Sequence, residues 1–135
     1  MKKIIFLVLA AFSILLYTGC SGTPEPGKAA MKYMTYLQKG EYRKFAENVA
    51  VNPKNTAAQQ EENIQLSEAL LKEKVGETFA KKGGIKKLKL ISESVAEDGQ
   101  SAKVVINVTY GNGDVDDETV DLVLQDKKWK MKSLK

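Results

Sequence analysis

The sequence predicts an α+β domain in which helices come first and an antiparallel sheet follows. Up to about residue 82, apolar residues recur at helical spacing, as in Ala30, Tyr33, Met34 and Leu37. Beyond Gly83-Gly84 they alternate, as in Ala102, Val104, Ile106, Val108 and Tyr110. Clusters of Gly, Asn and Asp between the alternating runs supply the hairpin turns a meander needs. Helices gathered before strands fit α+β better than the regular alternation of α/β proteins.

The elements follow in order. A first helix is predicted over Lys28–Lys39, with Ala30, Tyr33, Met34 and Leu37 on its buried side and Gly40 as its stop. A second runs from Glu41 to about Val49, where Tyr42, Phe45 and Val49 share a face, and Asn52-Pro53 makes a turn. The third runs from about Thr56 to Lys81. Ile64, Leu71, Val75 and Thr78 trace one line on it, with Leu66, Leu70 and Phe79 alongside. So broad a stripe predicts that this third helix is the one the sheet wraps around.

Four strands follow, marked by Leu88 and Leu90, by Ala102 to Tyr110, by Val120, Leu122 and Leu124, and by Trp129 and Met131. The turns between them are Glu97-Asp98-Gly99-Gln100, Gly111-Asn112-Gly113-Asp114 and Asp126-Lys127. Each strand has one apolar face, so one side of the sheet is expected on the helices and the other in water.

The chain begins differently. Lys2 and Lys3 precede the uncharged run Ile4 to Tyr17, which is shorter than the roughly 20 residues a membrane-spanning helix needs and suits the core of a secretion signal. Thr18 and Gly19 then precede Cys20, the only cysteine, and no Ala-x-Ala cleavage site is present. Apolar run, small residue, Gly, Cys resembles the lipobox of bacterial lipoproteins, with Tyr17 where that motif usually carries Leu. The resemblance implies a signal peptide over residues 1–19, a diacylglyceryl, palmitate-bearing Cys20 and a short tether to residue 27. The domain itself would occupy residues 28–135. One acyl chain holds a protein marginally and two or more hold it firmly. By analogy with Gram-negative sorting, Ser21 after the cysteine implies the outer membrane of the cell envelope, facing either the periplasm or the exterior.

Composition narrows the chemistry. The chain carries a net charge of +4, and Lys2 and Lys3 belong to the leading segment, so the remainder carries +2. That gives no electrostatic case for a nucleic-acid partner. Lysines cluster from Lys72 to Lys89 and from Lys127 onward, and acids cluster from Asp114 to Asp121. Adjacent strands of opposite sign account for this, and a basic patch for anionic headgroups or acidic glycans is the alternative. The chain has no histidine, which removes Ser-His-Asp and Cys-His catalysis and the commonest zinc ligand. Counted from Asn112, the sixth and twelfth positions hold Asp117 and Val123, where a calcium-binding EF-hand needs Gly and Glu. No metal and no cofactor are expected.

Four stretches carry a further resemblance: PGKAAMKYMTYLQKGEYRKF, KKGGIKKLKLIS, SAKVVINVTYGNGD and DLVLQDKKWKMK. Their order is similar to that of small bacterial lipoproteins bearing a domain of unknown function on the nuclear transport factor 2-like, or cystatin-like, cone. The resemblance implies three helices packed on a curved four-stranded antiparallel sheet, with a pocket between sheet and helix. Tyr33, Leu37, Tyr110 and Trp129 are the candidate pocket-lining residues, and Tyr36 is a further hydroxyl for the mouth. The function expected is a non-enzymatic binding or interaction module of the envelope. It would be held to the membrane through Cys20 and would meet a small apolar ligand, an envelope protein or a polysaccharide. A small carboxylate-dependent enzyme is the alternative, and would need acids converging inside the cone.

Overall fold

Pro26 opens the first helix, α1 (Pro26–Lys39), in the first turn, where a missing N–H costs little. The computed structural model describes residues 25–132, so Cys20 and the leading segment lie outside the described residues. Pro26 and Gly27 are buried, which places both in the domain rather than in the tether. Gly40 ends α1 at φ 75°, a left-handed conformation that glycine adopts without a Cβ penalty, and its N–H donates to the Leu37 carbonyl.

Helix α2 (Tyr42–Glu47) follows at once and buries Phe45 and Ala46. Helix α3 (Ala57–Leu70) starts at a capping box: the Thr56 hydroxyl accepts from the Gln59 N–H, and the Gln59 side chain accepts from the Thr56 N–H. It continues through a π-helical turn, Leu71–Val75, into α4 (Gly76–Lys81).

The sheet is a meander of β1 (Ile85–Val95), β2 (Ser101–Tyr110), β3 (Val115–Gln125) and β4 (Lys128–Met131), antiparallel throughout and ordered as in the sequence. Register shifts at Ile85/Lys87 and Leu90/Ser92 bulge β1 and add to its twist. Asp126 and Lys127 both take positive φ, the requirement of the tight two-residue turn that joins β3 to β4. At the opposite end of the sheet, the Gly111 N–H donates to the Gly84 carbonyl and the Asn112 N–H to that of Lys82. A Cβ on Gly111 would stand 2.3 Å from the Gly83 carbonyl oxygen, so this crossing of two backbones admits no side chain.

Val104, Ile106 and Val108 are fully enclosed, and Leu122, Trp129 and Met131 extend the same face. Helix α1 lies on it through Ala30, Tyr33, Met34 and Leu37. It runs antiparallel to β1: its Gly27 N–H donates to Glu93 Oε1 at 2.9 Å, and its Gln38 Nε2 donates to the Ile85 carbonyl at 3.3 Å. On the wet face, Lys103 pairs with Asp121 at 2.8 Å and Asn107 with Asp117 at 2.8 Å, opposite partners in register.

The helix that the sheet wraps around is therefore α1, not the third helix as its broad apolar stripe suggested. No residue of α3 is buried, and Leu66 and Leu70 are 57% and 55% exposed. The cause is the linker after α2. Ala50 N–H donates to the Met131 carbonyl at 2.7 Å, and Met131 N–H to the Asn48 carbonyl at 2.9 Å. This linker covers the edge of β4, so α3 packs on α2 and the linker instead of on the sheet. Contact with the cone begins only at the π turn, with buried Leu71.

Candidate functional site

β3 is eleven residues long and β4 only four, so β4 pairs with Leu122–Gln125, and among the described residues the first half of β3 has no strand on that side. Helical residues from the π turn onward stand across the gap. Between them lies a cavity of about 570 Å³, within the range of small-molecule sites. Tyr33, Met34, Leu37 and Phe45 form its floor, Leu71, Val75 and Phe79 one wall, and Tyr110, Val120 and Met131 the other. Lys74, Glu118, Asp121 and Lys132 stand among these apolar residues, so charges of both signs meet the opening.

Three of the four residues expected to line a pocket come together here: Tyr33, Leu37 and Tyr110. Trp129 is not among the lining residues. It is buried in the core at 3% exposure, where its main-chain carbonyl accepts from the Tyr33 hydroxyl. Its indole N–H finds no acceptor among the described residues. Trp129 is on the inner face, as its alternation implied, but that face extends beyond the cavity. Tyr36 is half-buried under the Lys44 ammonium, 5.8 Å from its ring centre, and also lies outside the lining.

The acidic run is exposed along most of its length, and it opens β3 at Val115, where Asp116 and Glu118 oppose the fully enclosed Val108 and Ile106. Both acids thus occupy inner-face positions. Asp116 Oδ2 pairs with Lys82 Nζ at 3.1 Å, and this hydrogen bond raises the Lys82 pKa. The same ammonium lies 4.6 Å from the Tyr110 ring centre, while Phe79 packs against that ring at 5.8 Å. Burial raises the Tyr110 phenol, and the Glu118 charge raises it further. Burial likewise raises Tyr33.

Of the two lining acids, Asp121 is engaged with Lys103 on the outer face. Glu118 is left as the lining carboxylate without an ion pair among the described residues. An apolar cavity with one such acid at its mouth is chemically suited to enclosing apolar groups. Among the described residues, no three acidic side chains cluster as a metal site, and no helix is long and apolar enough to cross a membrane.

Helices laid on one face of a curved four-stranded meander, with a cavity opening beside its short last strand, define a nuclear transport factor 2-like fold. A proposed NTF2-like transpeptidase from Campylobacter jejuni superposes with a TM-score of 0.66 at 16% identity, over 82% of this chain and all of its own. At that identity the likeness establishes the fold alone. Aln2 from a Streptomyces species matches with a TM-score of 0.41 at 16% identity, over 77% of this chain and 81% of its own. The intermembrane-space region of the chloroplast protein ARC6 gives 0.38 at 14%, over 79% and 92%. No curated protein matches the sequence. Residues 19–132 match the domain of unknown function DUF4878, and the chain belongs to that family.

Proposed function

We propose that this protein is a lipoprotein of the bacterial cell envelope, fastened to the outer membrane through an acylated Cys20. Its domain acts as a non-enzymatic binding module. The observation that carries the binding reading is the apolar cavity between the first half of β3 and the helix spanning Leu71–Phe79. Its occupant is a small ligand, or the apolar part of a larger one. Burying apolar surface there provides the driving force, at about 25 cal/mol per Å². Lys74 and Lys132 orient the polar end.

The second reading, carboxylate-dependent catalysis, has one observation in its favour: Glu118 at the cavity mouth, close enough to raise the Tyr110 phenol. Native mass spectrometry of protein gently extracted from its cells tests the binding module. A retained small molecule, lost on filling the cavity, is the expected result, and a consistently empty monomer counts against it. Glu118→Gln separates the two readings, because retention persists in a binding module while turnover disappears in an enzyme.

A further inference from the structure

We propose that the β1 edge around Leu90 and Ile91 is a membrane-facing surface that rests on an anionic bilayer. This rests on the reading of Cys20 as acylated. Only Ser21 to Pro24 separate Cys20 from Glu25. Five Cα-to-Cα steps reach at most about 18 Å, even fully extended. Whatever path the tether takes, the part of the domain that receives it is held beside the headgroups.

That part is β1. Gly27 is buried with its N–H on the Glu93 carboxylate, and a Cβ there would stand 3.0 Å from Leu90 Cδ2. Leu90 and Ile91, beside this junction, are two of the few large apolar side chains in water, at 37% and 50% exposure. They sit at the bulge between Leu90 and Ser92 on a strand that ends the sheet. Lys86, Lys87 and Lys89 precede them on the same strand, all exposed and without an ion-pair partner among the described residues. Leu90 is in register with Ile106 on the inner face, and Lys87 and Lys89 with Thr109 and Asn107 on the wet face. The interfacial surface is therefore the free edge of the strand, where the apolar groups enter the headgroup–acyl boundary and the lysines meet phosphates.

A second copy of the chain fits this edge less well. Strand pairing of β1 with itself brings two sets of three lysines together, and lysines on an edge act against such pairing.

The test uses the full chain made in a bacterial host, with Ile91→Cys or Asn112→Cys as the reporter site. Asn112 lies in the β2–β3 turn, at the far end of the sheet. Acylation blocks Cys20, so each variant takes one thiol-reactive environment-sensitive dye. The protein is reconstituted into vesicles of about three parts phosphatidylethanolamine to one part phosphatidylglycerol, and aqueous iodide quenching is read. Quenching at position 91 is expected to be about threefold weaker than at 112, with the difference shrinking in pure phosphatidylcholine as the charge contribution is lost.

Equal quenching at the two sites in the anionic vesicles, with the acyl mass confirmed, overturns the proposal and leaves the anchor intact. Protection at 91 that rises with the protein-to-lipid ratio identifies a second copy as the occupant and also overturns it. A wild-type chain whose Cys20 takes the dye is unacylated, which removes the anchor and this surface together.

Discussion

The Tyr33 hydroxyl donates to the main-chain carbonyl of Trp129, joining the middle of α1 to the shortest strand of the sheet. The same ring forms part of the cavity floor, so one residue holds helix and sheet together and shapes the site. Tyr33→Phe keeps the ring and removes the donor. It is expected to lower stability by about 1 kcal/mol, the net value of a typical internal hydrogen bond. Urea unfolding followed by the fluorescence of Trp129, the single tryptophan, measures it.

Alkaline pH provides a second test through the same residue. Burial raises the Tyr33 and Tyr110 phenols above their ordinary value of 10.0. Below that value both are neutral whether folded or not. Between it and the raised value the unfolded chain loses protons first, so it binds fewer than the native state and stability falls with rising pH. The contribution is gone once pH passes the raised values. Urea midpoints should therefore decline above about pH 10, and less steeply in Tyr33→Phe. A flat profile there contradicts the burial of these hydroxyls.

Gly111→Ala should be far more damaging than its size suggests. The added methyl meets the Gly83 carbonyl oxygen at 2.3 Å, and that oxygen belongs to backbone that cannot rotate aside. Overpacking of this kind costs about 1–3 kcal/mol. A thermal melt should show a drop of roughly 5 to 15 °C for a domain of this size. An unchanged melt means the crossing of Gly83 and Gly111 is looser than described.

Filling the cavity tests where a ligand goes. Val75 lines the cavity and is only partly buried, so Val75→Trp adds bulk within it without entering the packed core. Binding of the apolar dye N-phenyl-1-naphthylamine should weaken by about tenfold, equivalent to ~1.4 kcal/mol. Undiminished binding by the folded variant places the dye elsewhere and removes the main support for a ligand site.

Cys20→Ala addresses the anchor alone. The variant is expected to take up no labelled palmitate in growing cells and to leave the membrane fraction. Incorporation that persists in the variant refutes lipid attachment at that sulfur.

Much of the fold was legible because its signals are local. The glycine, asparagine and aspartate turns and the alternation of β2 need only neighbouring residues, and Tyr33, Leu37 and Tyr110 follow from the same periodicities. The role of α3 was not legible. What separates it from the sheet is a pairing between Asn48–Ala50 and Met131, more than eighty residues apart, and apolar breadth on a helix does not report what stands between. Trp129 is a similar case: parity assigns it a face, but not which part of that face borders the cavity. Glu118 is a different case. Continuing the alternation of Leu124, Leu122 and Val120 back by two residues reaches it, and the run of acids around it concealed that phase.

The sheet is a ribbon with two unlike margins, since strand order follows sequence order. β1 is one margin, and the cavity is beside the other. If the proposed mooring runs along the first, the protein would hold its hollow toward the aqueous compartment. Cargo would then arrive by diffusion through water rather than by sliding up from the lipid, and could be handed on to a soluble recipient without the anchor letting go.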